Sequence, residues 1–195
     1  MRTSKIIRNT NETKISLALD LDGIGNFTGT SGIGFFDHML ELFTHHGHFD
    51  LELECDGDTY VDFHHTVEDI GISLGQAFKA ALGDCKGITR YGNFMMPMDE
   101  TLIIVALDFS GRNYLVYDVE ISCGKVGDFD TELCEEFFLA FSRNCGLTLH
   151  IKLEHGKNSH HIIEACFKGV ARAIGQAVSI DKNHPDQIPS SKGVL

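Results

Sequence analysis

Apolar and polar residues alternate with a period of two in several segments of the chain, which is the pattern of half-buried strands. The clearest alternation lies at 15–21, and it predicts one strand over 5–21. Similar alternation predicts a strand over 49–55 and another over 101–109. A Ser-Gly-Arg-Asn turn then leads into a predicted partner strand over 114–121.

Other segments place apolar residues three and four positions apart, which is the spacing of a helix with one buried face. This spacing predicts helices over 35–46 and 65–82, and a Gly-, Ser- and Thr-rich connection over 28–34 precedes the first of them. The second helix is expected to turn one apolar face to the core, formed by Val67, Ile70, Leu74, Ala77, Phe78 and Ala81.

The second half of the chain repeats this order of elements. Phe137 and Phe138 match Phe35 and Phe36, alternation predicts another strand over 149–153, and a last helix runs to about Val178. We therefore predict an α+β fold that is internally duplicated, with each half a small, mostly antiparallel sheet covered by helices. The two similar halves, about 1–92 and 93–195, are expected to form a single domain over 1–195.

One motif occurs once in each half, at the predicted start of a helix. His64-His65-Thr66-Val67-Glu68 and His160-His161-Ile162-Ile163-Glu164 both read H-H-x-x-E and lie 96 positions apart. A single such motif is usually a surface accident at a helix start, but two copies in equivalent places predict a metal site.

The helical geometry of the motif separates its two histidines. Successive helical residues rotate by about 100°, so the first His and the Glu share a face while the second His points elsewhere. Each second His is therefore free to complete the other copy's pair, within the chain or from a neighbouring subunit. The expected first site is His64, Glu68 and His161, and the expected second site is His160, Glu164 and His65.

Imidazole and carboxylate ligands suit manganese, iron, zinc or cobalt, and the absence of a thiolate argues against a structural zinc site. His38, beside Asp37, and His150, in a predicted strand, are further candidate ligands. Several basic and hydroxyl residues lie beside glycines or on the last predicted helix, and they suggest an anionic substrate. These residues are Arg90, Arg112, Lys168, Ser190 and Lys192.

Composition narrows the classes of partner. The formal net charge of −12 argues against nucleic acid and anionic membranes as partners. No apolar run approaches the length of about 18 residues that a membrane helix needs, and we expect a cytoplasmic protein without a signal peptide. The six cysteines form no C-x-x-C pair and are expected to be reduced thiols of the core.

The residues alone leave the reaction open between hydrolysis, dehydration and oxygen chemistry. A dinuclear metal hydrolase acting on a phosphate ester is the main alternative enzyme. A ferritin-like metal store is the non-enzymatic alternative, but it needs four long helices with Glu and Glu-x-x-His ligands, which the predicted strands contradict.

Several motifs spread over essentially the whole chain resemble the imidazoleglycerol-phosphate dehydratases of histidine biosynthesis. Beside the two H-H-x-x-E motifs, they are Asn9-Thr10-Asn11-Glu12-Thr13, Gly34-Phe35-Phe36-Asp37-His38-Met39-Leu40, Pro97-Met98-Asp99-Glu100, Ser110-Gly111-Arg112, Leu149-His150-Ile151 and Pro189-Ser190-Ser191-Lys192-Gly193. The small departures, such as Asn113 where proline is frequent, touch no proposed ligand.

The resemblance implies the conversion of imidazole glycerol phosphate to imidazole acetol phosphate by the monofunctional form of the enzyme. It implies a fold like domain 2 of ribosomal protein S5, a homo-oligomer of 24 subunits with sites at subunit contacts, and two Mn²⁺ per active site. The implied metal ligands are His38, His64, His65, Glu68, His150, His160, His161 and Glu164.

The resemblance also implies the remaining site residues. The candidate catalytic carboxylates are Glu12, Glu68 and Glu164, and Glu12 matches a substrate-contacting position. The positions implied to bind the substrate phosphate are Arg90, Arg112, Lys168, Ser190 and Lys192.

Overall fold

The fold, taken from a computed structural model that describes residues 1–195, consists of two halves with the same order of elements. The first half contains β1 (Thr3–Asn9), β2 (Thr13–Asp20), β3 (Phe27–Thr30), α1 (Gly34–Gly47), β4 (Asp50–Gly57) and α2 (His64–Leu82). The second half contains β5 (Tyr91–Met98), β6 (Thr101–Asp108), β7 (Tyr114–Asp118), the short β8 (Lys125–Val126) and β9 (Phe129–Asp130), α3 (Leu133–Cys145), β10 (Thr148–His155) and α4 (Ser159–Val178).

The two large sheets share one topology. Their strand orders are β1-β2-β4-β3 and β5-β6-β10-β7, and β8 and β9 form a separate small hairpin. In each large sheet two neighbouring pairs are antiparallel, and only the pair at the end, β3 with β4 or β7 with β10, is parallel. This arrangement confirms the predicted α+β fold, its duplication and its mostly antiparallel sheets.

The prediction of a single strand over 5–21 is wrong, because the chain reverses between β1 and β2. Thr10 Oγ1 accepts hydrogen bonds from the N–H groups of Glu12 and Thr13, which closes a tight turn. The two strands then pair antiparallel, with Ile6 opposite Leu17. The polar run at residues 8–12 marks this break, and the alternation at 15–21 does not extend across it.

The prediction of a hairpin between 101–109 and 114–121 is also wrong in its pairing. β7 runs parallel to β10, with Leu115 opposite Leu149, and β5 takes the place beside β6. The pattern missed β3 as well, since its Gly29 reads as a loop residue. A Cβ there would lie 1.8 Å from Leu53 O, so only glycine permits β3 to pair with β4 at this point.

The four long helices pack in one core between the sheets, joined by phenylalanine rings. Phe137 of α3 contacts Phe36 of α1 and Phe167 of α4, with ring centroids 5.3 Å and 5.1 Å apart. Phe78 of α2 contacts Phe141 of α3 at 5.3 Å. Each fully buried ring stabilises the fold by roughly 1.5–3 kcal/mol, so this cluster holds the four helices against one another.

The predicted core face of α2 is buried at all six positions. Close approach of α2 to α3 depends on small residues, because a Cβ on Gly75 would lie 2.6 Å from Phe141 O. All six cysteines are free, and Cys134, Cys145 and Cys166 are buried as predicted, whereas Cys123 is exposed. None of the helices combines the length and apolar character needed to cross a membrane.

Candidate active site

Both H-H-x-x-E motifs lie in the first turn of a helix, as the sequence predicts. α2 begins at His64, whose N–H donates to Asp62 Oδ1 at 2.8 Å. α4 begins one residue before His160, and the side chain of Asn158 caps it by accepting from the N–H groups of His160 and His161. Such caps satisfy amide groups that a helix start leaves without partners.

The copy on α4 forms a three-residue group with a histidine from α1. Ligand atoms of His38, His160 and Glu164 all lie within 4.8 Å of one another. His160 Nε2 is 3.0 Å and His38 Nε2 is 3.8 Å from Glu164 Oε2. Glu164 is buried, so its charge is held where water screens it least.

The copy on α2 forms a matching group with a residue from α3. Ligand atoms of His64, Glu68 and Glu136 lie within 4.8 Å of one another. Sequence reasoning missed Glu136, which stands among acidic residues outside any motif. The duplication could have pointed to it. The helix α3 is the counterpart of α1 in the repeat, and α1 supplies His38 to the other group.

The second histidine of each motif points to a different carboxylate. His65 Nδ1 lies 2.9 Å from Asp58 Oδ2, and His161 Nδ1 lies 2.8 Å from Glu100 Oε2. Each hydrogen bond raises the pKa of its histidine. This divergence follows the predicted helical geometry, but sequence reasoning gave Asp58 and Glu100 no role.

Neither His65 nor His161 belongs to the two three-residue groups of one chain. The expected exchange of second histidines between the motifs is therefore not assembled within a single chain, and it stays a prediction for contacts between subunits. His150 is likewise separate. It alternates with the buried Leu149 and Ile151 and so faces away from the helices, on the exposed side of the second sheet beside Ala106.

Glu12 lies in the turn between β1 and β2, next to the start of α2. Its Oε1 is 3.7 Å from His65 Nε2, and about half of its side chain is exposed (52%). The buried carboxylate of Asp69 braces this turn by accepting from Arg8 Nη2 at 2.7 Å and Thr13 Oγ1 at 2.5 Å. Asp69 follows Glu68 directly, so one turn of α2 fixes both a candidate ligand and the candidate base.

Four of the five predicted phosphate-binding residues line one cavity of about 420 Å³. They are Arg90, Arg112, Ser190 and Lys192, and Ser110 lies beside them. Arg90 is oriented by a two-point contact with Asp108, at 2.6 Å and 3.1 Å, and also donates to Pro189 O at 2.8 Å. The Asp108 carboxylate raises the pKa of Arg90, which keeps this cation in the cavity wall at all relevant pH values.

Lys168, the fifth predicted phosphate residue, lies elsewhere. Its Nζ is 2.5 Å from Glu164 Oε1, beside the His38–His160–Glu164 group. Burial would raise the pKa of Glu164, but the hydrogen bond and charge of Lys168 outweigh it and hold this pKa below its ordinary value. In a single chain Lys168 therefore neutralises a candidate metal ligand.

Comparison with known proteins identifies the family of the chain. The family model for imidazoleglycerol-phosphate dehydratase matches residues 31–174. A protein of that name from Oceanobacillus iheyensis is 59% identical over 195 residues and is matched over the full length of both chains. Another from Azorhizobium caulinodans is 57% identical and covers all of this chain and 99% of the relative.

Solved structures give the same result at the level of the fold. The imidazoleglycerol-phosphate dehydratase of Staphylococcus aureus matches with a TM-score of 0.84 and 42% identity, over 92% of this chain and 99% of the other. The enzyme of Pyrococcus furiosus, solved in complex with (S)-C348, matches with a TM-score of 0.83 and 35% identity, over 97% and 100%. The chain therefore belongs to the imidazoleglycerol-phosphate dehydratases, a family of hydro-lyases.

Proposed function

We propose that this chain converts imidazole glycerol phosphate to imidazole acetol phosphate in L-histidine biosynthesis, with two Mn²⁺ per active site. The observation that carries the proposal is the duplicated His/Glu group at the starts of α2 and α4, in a chain of this family. The proposed ligands are the eight residues that the resemblance implied, namely His38, His64, His65, Glu68, His150, His160, His161 and Glu164.

The donor atoms suit such ions. Neutral imidazole nitrogens and carboxylate oxygens converge within 4.8 Å in each group, which is the ligand chemistry that manganese accepts. When bound, two divalent cations would supply positive charge at the two nitrogens of the substrate ring and stabilise the ring as an anion. Glu68 and Glu164 take part in the reaction by holding these ions.

Glu12 is the proposed acid and base. The proton to be removed lies on the carbon attached to the ring, and a carboxylate beside the ring can accept it. Glu12 Oε1 lies 3.7 Å from His65 Nε2, so it stands next to a proposed ligand of the ring-binding ions. Its half-exposed carboxylate can approach a bound substrate without leaving a buried partner behind.

The cavity between Arg90 and Lys192 is the proposed phosphate site. Two guanidinium groups, one ammonium group and the hydroxyl of Ser190 offer the donors that a phosphate monoester requires. Lys168 lies beside Glu164, outside this cavity, so its proposed contact with the phosphate requires a neighbouring subunit. The substrate is thereby held at its anionic end by cations and at its ring end by the metal ligands.

The active site is proposed to be complete only between subunits of a 24-subunit homo-oligomer in the cytoplasm. Support comes from the separation of the proposed residues in one chain. His150 faces outward from the second sheet, His65 and His161 stand outside both ligand groups, and no His lines the phosphate cavity. Each chain is proposed to act as one domain made of the two repeats.

The test is an assay of purified protein with Mn²⁺ and imidazole glycerol phosphate. We expect formation of the enolised oxo product, abolished by a chelator and restored by Mn²⁺. Inorganic phosphate measured in the same samples identifies a dinuclear hydrolase instead. Two bound metals per chain without oxo product would refute the proposed reaction while keeping the metal site.

A further inference from the structure

The turn that carries Glu12 has a counterpart in the second half. Residues 12–20 read E-T-K-I-S-L-A-L-D and residues 100–108 read E-T-L-I-I-V-A-L-D, so Glu12 matches Glu100. Each glutamate ends the turn of the first hairpin of its sheet and precedes a buried threonine, Thr13 or Thr101, at the start of the next strand. The duplication thus supplies two glutamates at equivalent places in the fold.

The two glutamates have different surroundings. Glu100 Oε1 accepts from the N–H groups of Asn158 at 2.8 Å and Lys157 at 3.2 Å, and from Thr101 Oγ1 at 3.3 Å. Its other oxygen, Oε2, lies 2.8 Å from His161 Nδ1. Glu12 makes no side-chain hydrogen bond and only approaches His65 at 3.7 Å.

The contacts of Glu100 reach the start of α4 along two routes. In the first, its Oε1 accepts from the backbone N–H of Asn158, whose side chain caps the helix by accepting from the N–H groups of His160 and His161. In the second, Glu100 Oε2 contacts the imidazole of His161 directly. The other ring nitrogen, His161 Nε2, has only the exposed carboxylate of Asp99 nearby, at 3.8 Å.

We propose that Glu100 is a positioning residue that keeps the proton of His161 on Nδ1, so that the lone pair of Nε2 faces a divalent cation. This inference rests on the proposed function, in which His161 is a metal ligand. A carboxylate that accepts from one ring nitrogen fixes the tautomer and raises the basicity of the other nitrogen. The resemblance by sequence gave Glu100 no such role, and its contacts with α4 become evident only in the folded chain.

Glu100→Gln tests this role with little change in shape. The amide oxygen of Gln can keep the two backbone N–H bonds, which leaves its NH₂ group facing His161 Nδ1. A donor there requires the opposite tautomer, with the proton on Nε2, and a protonated nitrogen cannot bind a metal. The variant thus reverses one hydrogen bond while the helix cap stays in place.

The measurement is Mn²⁺ binding to chelator-treated protein, by titration calorimetry and by the EPR signal of free Mn²⁺. For Glu100→Gln we expect the dissociation constant of one ion to rise about 10- to 100-fold, with unchanged secondary structure by circular dichroism. Glu120→Gln, which makes the same change of charge at an exposed residue, is the control and should bind like the parent. A dissociation constant for Glu100→Gln within twofold of this control would overturn the proposal.

Two further variants separate orientation of the ring from support of the helix. Asn158→Ala removes the cap but leaves the Glu100–His161 contact, so it should lower the melting temperature and change Mn²⁺ affinity less than threefold. If Glu100→Gln fails to fold without metal, Glu100→Asp is measured in its place. Its shorter carboxylate can still accept from His161 Nδ1, so the proposal predicts that it keeps part of the parent's Mn²⁺ affinity, and complete loss of affinity would contradict the proposal. Failure of the parent protein itself to bind Mn²⁺ would refute the proposed function and this proposal with it. A parent that binds Mn²⁺ beside a Glu100→Gln variant that binds it equally well would overturn this proposal alone.

Discussion

Lys168 Nζ lies 2.5 Å from Glu164 Oε1, one helical turn along α4, whereas His160 and His38 approach the other carboxylate oxygen, Oε2. Both side chains are largely buried, with 19% and 8% of their surface exposed. The lysine thus engages one oxygen of the carboxylate, and the histidines of the candidate metal group face the other. The lysine therefore supplies the counter-charge of this buried carboxylate in a single chain.

Lys168→Met should separate the role of counter-charge to Glu164 from the proposed role in binding the substrate phosphate. We expect the metal-free protein to lose about 2 kcal/mol of stability, less than for a fully buried pair, because His160 still contacts Glu164. Mn²⁺ affinity should be equal or higher, while KM for the substrate rises. The measurements are thermal melting with chelator, Mn²⁺ titration and steady-state kinetics, with exposed Lys182→Met as control. Lost Mn²⁺ affinity would mean that Lys168 also holds the Glu164 carboxylate in place for the metal, which would contradict a role as counter-charge alone.

Glu12→Gln should abolish most turnover while leaving the metal content intact. Removing a general acid or base typically lowers the rate by about a hundredfold to ten-thousandfold, and Glu12 belongs to neither His/Glu group. Turnover and Mn²⁺ per chain are measured on the same preparation, beside exposed Glu54→Gln. Near-normal turnover in Glu12→Gln would end its assignment as the base.

Arg90→Lys should weaken substrate binding more than it slows the chemical step. Lysine keeps the charge but cannot make the two-point contact with Asp108 and also donate to Pro189 O. We expect KM to rise about 10- to 100-fold, the equivalent of one charged hydrogen bond, with kcat nearly unchanged. Arg143→Lys, on the exposed face of α3, is the matched control. Equal KM values for the two variants would remove Arg90 from the phosphate site.

Asp50 should make stability depend on acid pH. Its Oδ1 accepts the N–H groups of Asn26, Ile24 and Gly25 at 2.8–3.0 Å, and these bonds lower its pKa below the ordinary value of 3.8. Because the folded state has the lower pKa, the charged carboxylate stabilises the fold above about pH 4. That contribution is lost as the pH falls through the lowered value.

Asp50→Asn is therefore expected to be less stable than the parent at pH 7, by about 1–2 kcal/mol, and to approach it in acid near pH 3. Thermal melting at both pH values measures the difference. Exposed Asp56→Asn, which makes the same change of charge, should behave like the parent at both. A difference between Asp50→Asn and parent that is independent of pH would mean that the charge of Asp50 has no part in holding the turn.

The sequence was most informative where one pattern dominates a segment. The core face of α2 and the place of His64 and His160 at helix starts follow from helical spacing, and the structure confirms both. The break at Thr10 and the pairing of β7 with β10 were not predictable from alternation, which records the faces of a strand but not its neighbours. Glu136 and Glu100 were missed because their partners come from distant segments that only the folded chain brings together.

The unequal surroundings of Glu12 and Glu100 have a consequence for symmetry. A dimer of identical half-length chains would carry the same glutamate twice, and both copies would be either tied to a helix start or left free. Joining the halves in one polypeptide lets mutation act on each copy alone. A single gene can therefore encode one glutamate bound to a helix start and one without a side-chain hydrogen bond on what is geometrically the same turn.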